Sequence, residues 1–432
     1  MKTFSSFLRG LTKKLMIQSM SNYDSPASPL RFAVIGIGSM GSAHATALYQ
    51  GKIEHAVLCA VCDTDPQRLE WAKMHLCGVA QYDDHRALLA QHVADAVIIA
   101  TPHYFHPIIA VDAFASGMHV LSEKPAGVRV SDVYRMNEAA KASGHAFGIM
   151  FNQRTNPLFA QARKLVQSGE LGNIKRMEWT VTNWYRTQAY YDSGDWRATW
   201  GGEGGGVLLN QAPHNLDLWQ WICGMPKSLY AHCAAGRYHH IEVEDDCTIV
   251  AVYENGATAT FITSTGENPG TNRLEIIGEK GKIIVTDGKL DFYKLSQFER
   301  DVCFSAPRSM SEYIPFEKIT YAQQSSQSEH LQILQNFTNH ILYGETLIAP
   351  GYDGIFSLSL SNAAYLSAWQ SRTVSLPLSK EDLAAFDAAL DDRILHSSYR
   401  KAEHVLSKKT SNDTDAEGNS GNYQKRWLNH WS

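Results

Sequence analysis

The sequence predicts an α/β domain built on a parallel sheet, followed by an α+β domain with a large, mostly antiparallel open sheet. Three observations carry that expectation. Between Arg31 and Met150, short uninterrupted apolar runs alternate with helix-like stretches, the pattern of strands covered on both faces by crossover helices. After about Phe151 the chain turns to strand-like segments joined by turn signals, with few helices between them. The 432 residues also exceed what a single core usually holds, so two domains are expected.

In the first domain, expected over 31–150, FAVIGIG reads as a buried strand and 42–50 as a helix. AVLCAVCD is the second strand and 66–76 the next helix; ADAVIIATP, GMHVLSEKP and HAFGIM continue the series. The second domain, expected over 151–380, opens with a helix at 157–168 and the strand-like IKRMEWTVTNW. Strands follow at 228–235, 247–254, 257–264 and 271–278, then helices at 323–343 and 354–370. Glu254-Asn255-Gly256 supplies one of the turns between strands. After Leu378 long-range periodicity fades, so 381–432 reads as a tail in which SKKTSNDTDAEGNSGN is too polar to form a core. Residues 1–30 read as a flexible extension.

Composition narrows the function classes. Hydrophobic residues make up 44% and charged residues 19%, as in ordinary globular proteins. A net charge of -5 argues against a broad nucleic-acid or anionic-membrane surface. No apolar run reaches the roughly 18 residues of a membrane span. The first 30 residues lack an apolar core followed by a small-residue cleavage site, so a cytoplasmic protein is expected. Seven scattered cysteines do not make a disulfide framework. Cys59 and Cys62 are three apart on a strand and point oppositely. The string from His239 to Asp246 has two adjacent histidines and reads mostly as a solvated turn, so no metal is expected.

Gly36, Gly38 and Gly41 form G-x-G-x-x-G directly after the first strand. Glycine there allows a tight turn, close approach of the backbone to a pyrophosphate, and close packing of the helix on the strand. The exposed N–H groups of the helix would then face the phosphates, and Ile37, Ser39 and Met40 are counted with the glycines as cofactor-binding. Asp63 ends the second strand, 22 residues beyond Gly41, where a carboxylate accepts from ribose hydroxyls and repels a 2′-phosphate. This is the layout of a Rossmann domain that prefers NAD over NADP, although Arg68 could offset part of the repulsion. Thr101 and Pro102 close the fourth apolar strand at the carboxyl edge, where a dinucleotide crosses the sheet. His103 and His106 follow them and are placed to approach the same cleft; His106 also suits a helix start.

Glu123-Lys124-Pro125 ends the next strand at the same edge. A lysine beside a nicotinamide can bond a substrate hydroxyl and stabilise alkoxide character as hydride leaves. In GEGGGVLLNQAPHNLDLWQWICGMP, Pro213 suits a first helical turn and places His214 within it. The positive end of a helix disfavours imidazolium, so His214 is expected to be neutral and able to accept a proton. Asp217, three residues on, could orient it or cap the helix surface. The three glycines before it suggest a backbone pressed against the cofactor or a neighbouring helix.

Taken together, the glycine motif at 36–41 with His44, Asp63, Glu123-Lys124-Pro125 and GGGVLLNQAPHNLD resemble the Gfo/Idh/MocA oxidoreductase family over about 31–378. The resemblance implies a Rossmann domain, a C-terminal α/β domain whose open sheet commonly builds dimers or tetramers, and activity on sugars, inositols or related polyols. It also implies Lys124 as the active-site lysine and His214 as the catalytic histidine. Position 210 departs from the pattern. Many family dehydrogenases carry an aspartate in D-x-G-x-H, where this chain reads Asn210-Gln211-Ala212-Pro213-His214. An asparagine can hold a hydroxyl or the lysine, but it carries no charge and accepts no proton.

The stretch WTVTNWYRTQAYYDSGDWRATW, from Trp179 to Trp200, is unusually aromatic. Tyr185, Arg186, Trp196 and Arg197 are the candidates for substrate contact, since aromatic faces suit sugar C–H surfaces and arginines suit hydroxyls or a uronic carboxylate. Asn152 and Arg154, just past the last strand of the first domain, are expected to line the same pocket. The expected function is an NAD-dependent sugar or polyol oxidoreductase assembled as a homodimer or homotetramer. Two alternatives remain at this point: a redox-neutral glycoside-cleaving enzyme that retains NAD, and a non-enzymatic sugar or dinucleotide sensor.

Overall fold

Strand β1 (Leu30–Ile35) buries every residue except Arg31 and lies inside a six-stranded sheet. The computed structural model describes residues 28–305, 311, 313–322 and 328–398. The expected N-terminal extension as far as residue 27, the start of the helix expected from Gln323, and the polar tail beyond 398 lie outside the described residues.

The first sheet comprises β1, β2 (Ala56–Cys62), β3 (Ala80–Tyr82), β4 (Ala96–Ile99), β5 (His119–Ser122) and β6 (Phe147–Ile149), ordered β3-β2-β1-β4-β5-β6. Every neighbouring pair is parallel. Helices α1 (Ser39–Tyr49), α2 (Pro66–His75), α3 (His85–Ala90), α4 (Phe105–Ala115) and α5 (Val130–Ser143) connect the strands. Asp65 and Asp84 begin α2 and α3 by accepting the N–H groups of Gln67 and Arg86. Phe32, Val34, Ile98 and Val120 are fully buried between the layers. The strand order reverses between β1 and β4, which opens a crevice at their carboxyl ends.

A short 3-10 turn (Asn152–Thr155) and helix α6 (Pro157–Gln167) lead into the second sheet. Its strands are β7 (Ile174–Val181), β8 (Ser228–Ala235), β9 (Glu244–Val252), β10 (Thr258–Ser264), β11 (Asn272–Gly278), β12 (Gly281–Thr286), β13 (Lys289–Leu295), β14 (Phe316–Ala322) and the two-residue β15 (Val374–Ser375). Their order is β14-β13-β12-β11-β7-β10-β9-β8-β15, antiparallel throughout except for the parallel pair of β7 and β10. Between β7 and β8 come α7 (Gln188–Tyr191) and α8 (Pro213–Cys223); α9 (Glu299–Ser305), α10 (Glu329–Tyr343), α11 (Gly354–Gln370) and α12 (Lys380–Leu395) follow. Helices α6, α8 and α11 pack against the sheet. Trp219 of α8 stacks on Phe261 of β10 at 5.8 Å, which seats α8 and fixes where its first turn lies.

Three features depart from the sequence expectations. Strands β12 to β14 extend the sheet beyond the segments expected, and β9 starts at Glu244 rather than at residue 247. The string ending at Asp246 is not a solvated turn throughout, because Glu244 and Asp245 are buried in β9. Asp245 accepts the N–H groups of Arg237, Tyr238 and His239, which meets the cost of burying a carboxylate. The tail expected from 381 begins as a capped helix. Ser379 accepts the Asp382 N–H, Phe386 stacks on Trp369, and Arg129 of the first domain pairs with Asp387 and Asp391.

Candidate active site

The glycine turn leaves β1 with Gly36 at φ +85°, where a Cβ would lie 2.7 Å from the Ala100 carbonyl oxygen. At Gly41 a Cβ would overlap the Gly36 carbonyl, so the helix packs against the turn only because both positions are glycine. Gly38 instead faces open space, and α1 starts with neither a side-chain cap nor an acidic residue in its first turn. Its N–H groups are thus available to an anion, and this cradle fits a dinucleotide pyrophosphate. Asp63 stands beside the cradle at the end of β2. Its carboxylate accepts the Ile37 N–H at 2.8 Å and the Asp65 N–H at 2.9 Å, which locks it against the turn. Ser39, Met40, Thr101 and Pro102 all keep some exposure around this crevice. Thr101 Oγ1 has no protein partner among the described residues.

Lys124 and Glu123 leave β5 at the same edge. Glu123 is buried and bonds His44 Nε2 at 2.7 Å, while its other oxygen accepts the Lys124 N–H at 3.1 Å. Burial pushes the Glu123 carboxyl up, but the His44 bond and charge outweigh it and bring its pKa to about 2. Glu123 therefore clamps the strand end that aims the lysine. Lys124 Nζ reaches across to the second domain and donates to the Asn210 carbonyl at 2.7 Å. Burial holds the Lys124 pKa below its usual value, with Arg186 and Arg197 adding repulsion against the attraction of Glu123 and Glu203.

The segment from Gly204 to Pro213 is held by β9. Glu244 accepts the Gly206 and Leu208 N–H groups at 3.0 and 2.9 Å, together with the Tyr365 hydroxyl at 2.7 Å. A Cβ at Gly206 would overlap the Glu244 backbone, so the glycines press on this strand and on α11. His214 then emerges in the first turn of α8. Burial first, and Lys124 second, hold its pKa well below 6.5. Its Nδ1 has no protein partner among the described residues. Arg186 and Arg197 flank Tyr190, their guanidinium carbons 4.9 and 4.8 Å from its ring centroid. Arg197 also lies 4.6 Å from the Trp196 ring, which in turn meets His103 edge-on. Tyr185 is exposed and lines, with Arg186, Gln188, Tyr238, His239 and Gly266, a surface cavity of about 430 Å³.

The structure thus brings Lys124, Asn210, His214, Arg186 and Arg197 into one neighbourhood. Others are committed elsewhere. Arg154 does not face this group: it makes a bidentate bond to Asp217 at 2.8 and 2.6 Å and a third bond to Asp353 at 2.7 Å. Asp217 is consequently the partner of Arg154 and not the orienter of His214. Buried Asp217 and half-buried Asp353 together offset the buried guanidinium, so it offers no free positive charge to a substrate. Asn152 gives its amide to Glu329 at 3.2 Å. His106 is buried with both ring nitrogens engaged, at 2.7 Å from the Pro125 and Thr101 carbonyls, and ties the two strand ends together rather than facing a cofactor. Sequence reasoning passed over Glu203 and read Glu244 as part of a mostly solvated turn. The signal for Glu203 was an acid beside a glycine triplet, a place where surface charge has no reason to sit.

Comparison with known proteins identifies both domains. Residues 30–151 match the model of an oxidoreductase family with an NAD-binding Rossmann fold. Residues 159–284 match the GFO/IDH/MocA C-terminal domain. The chain is similar to the WlbA dehydrogenase of Bordetella pertussis, solved with NADH and UDP-GlcNAcA, at 29% identity and a TM-score of 0.68, covering 81% of this chain and 100% of that one. It is 25% identical to the myo-inositol 2-dehydrogenase of Thermotoga maritima, over 80% of this chain and 98% of that protein. It is also 25% identical to the D-apiose dehydrogenase of Rhizobium rhizogenes, over 80% and 97%. With both family models matched in order along it, the chain belongs to the Gfo/Idh/MocA family of NAD-binding oxidoreductases.

Proposed function

We propose that this chain moves hydride between a secondary alcohol carbon of a sugar, inositol or related polyol and C4 of nicotinamide, with NAD preferred over NADP. The observation that carries the reading is the meeting of Lys124, from the end of β5, with the segment that leads to His214, across the domain junction. NAD, when bound, accepts or returns the hydride. His214, held neutral by its surroundings, takes the hydroxyl proton. The Lys124 ammonium donates to the same oxygen as negative charge develops on it. Asn210 holds a neighbouring hydroxyl. Arg186, Trp196 and Arg197 supply flat and cationic surfaces for the ring, suited to hydroxyls or to a sugar carboxylate.

Relatives that act on inositols and apiose, and one bound to a nucleotide sugar acid, support the substrate class. The test is a panel of inositols, aldoses, uronic acids, UDP-sugars and glycosides with NAD, reading NADH formation and identifying products. Oxidation of at least one polyol with stoichiometric NADH is expected. Cleavage of a glycoside without net NADH would overturn the dehydrogenase reading in favour of redox-neutral cleavage.

A further inference from the structure

Glu203 is 1% exposed and lies outside the expected constellation, yet it bonds Asn210 and its charge acts on Lys124 and Arg197. One carboxylate oxygen accepts the Ala198 N–H at 2.6 Å, and the other accepts from Asn210 Nδ2. Its main-chain carbonyl bonds His103 Nδ1 of the first domain at 2.9 Å. The second hydrogen of Asn210 Nδ2 goes to the Tyr190 hydroxyl at 3.2 Å. Both amide hydrogens are therefore used on fixed acceptors, so the amide has one orientation. Its Oδ1, to which nothing donates among the described residues, is left as an acceptor. Lys124 Nζ donates to the main chain of the same residue; burial raises the Glu203 pKa, while Arg197, the Ala198 N–H, the Asn210 amide and Lys124 favour its charged form, which in turn attracts the ammonium.

We propose that Glu203 is a positioning residue for hydride transfer: it fixes Asn210 so that position 210 presents only an acceptor to the substrate, and it supplies the negative charge near Lys124 that the amide lacks. The inference rests on the dehydrogenase reading above. It also accounts for the departure at 210. A carboxylate there would face Glu203 at hydrogen-bond distance, and two carboxylates so close do not both ionise. An acid at 203 with an amide at 210 is one way to place a single charge; the exchanged pair is the other.

The test compares wild type with E203Q, N210D and the exchanged double variant, using the polyol that yields most NADH. Each single variant is expected to lose roughly 10–100-fold in kcat/KM, the scale of a misplaced reacting group. NADH binding, read by nicotinamide fluorescence, stays unchanged, and the double variant recovers most of the loss. In E203Q the alkaline limb set by Lys124 moves to lower pH, because removing a nearby negative charge disfavours the ammonium. A purely structural role would lower kcat without moving that limb. E203Q with wild-type kcat/KM and an unmoved limb, or a double variant worse than either single one, would overturn the inference. Should E203Q fail to fold, wild-type kcat/KM in N210D overturns it and the expected loss sustains it. Should wild type oxidise no polyol, the dehydrogenase reading fails instead. The 203–210 pairing is then decided by Tm, lowered in N210D and restored in the double variant.

Discussion

His214 sets the acid side of the working range. Because burial and Lys124 hold its pKa well below 6.5, the base form is already complete at neutral pH. Oxidation is therefore expected to rise with pH only below 6.5 and to be flat through neutrality. His214→Ala should lose roughly 10²–10⁴-fold in turnover while still binding NADH. A pH–rate profile still rising through pH 7 would assign the base to another group. Asp63 governs the cofactor. Serine in its place removes the charge that repels a 2′-phosphate, so Asp63→Ser should narrow the gap between the NAD and NADP dissociation constants. Glu123 acts on stability. Its folded pKa of about 2 lies below the ordinary 4.5, so its contribution is complete above pH 4.5 and fades as pH falls toward 2. Glu123→Gln removes one partner of a buried pair and is expected to cost about 3–5 kcal/mol at neutral pH, measured by denaturant unfolding.

At the scale of elements, strand β9 anchors the catalytic segment, whose own turns close through the Gly206 and Val207 carbonyls. Glu244→Ala would leave the Gly206 and Leu208 N–H groups without their acceptor, at about 1–3 kcal/mol for each buried donor. Those two amides should then exchange hydrogen faster than in wild type while amides of β1 and β4 do not. Much of the scaffold was legible in the sequence because its strands are continuous apolar runs ending in Gly36, Asp63, Thr101 and Glu123, each marked by an abrupt change in residue type. Helix α12 was not legible, since only Phe386 and Leu390 are buried along it and the surfaces that hold it, Trp369 and Arg129, come from distant parts of the chain. Glu244 and Asp245 were misread for a related reason. An acidic string looks solvated until the backbone donors that meet it are known: those of Glu244 come from Gly206 and Leu208, far away in sequence, and those of Asp245 from the turn at 237–239 just before it. Arg154 had the right position in the chain but the wrong partners, because Asp217 and Asp353 are far from it in sequence.

At the scale of the whole molecule, one face of the second sheet is left uncovered by the helices among the described residues. Along β8 and β9, Leu229, Ala231, Ile249 and Ala251 are buried under helices, and the alternate residues Tyr230, Val250 and Val252 are 48%, 47% and 40% exposed. Tyr230 sits directly across from Val250, so these side chains form one apolar strip rather than scattered exposures. Farther across the sheet the outer face carries Arg176 with Glu178 and Lys282 with Glu275. An apolar strip continuous with paired charges suits a self-complementary contact, in which a two-fold axis sets each strip on its copy and the charges lie at the rim. We expect at least a homodimer joined through this face. Val250→Asp would bring like charges together across the axis without touching Lys124, Asn210 or His214. Light scattering should therefore show wild type as a dimer or larger at micromolar concentration, and the variant shifted toward monomer. A wild-type protein that stays monomeric under those conditions would show that the strip serves some other contact.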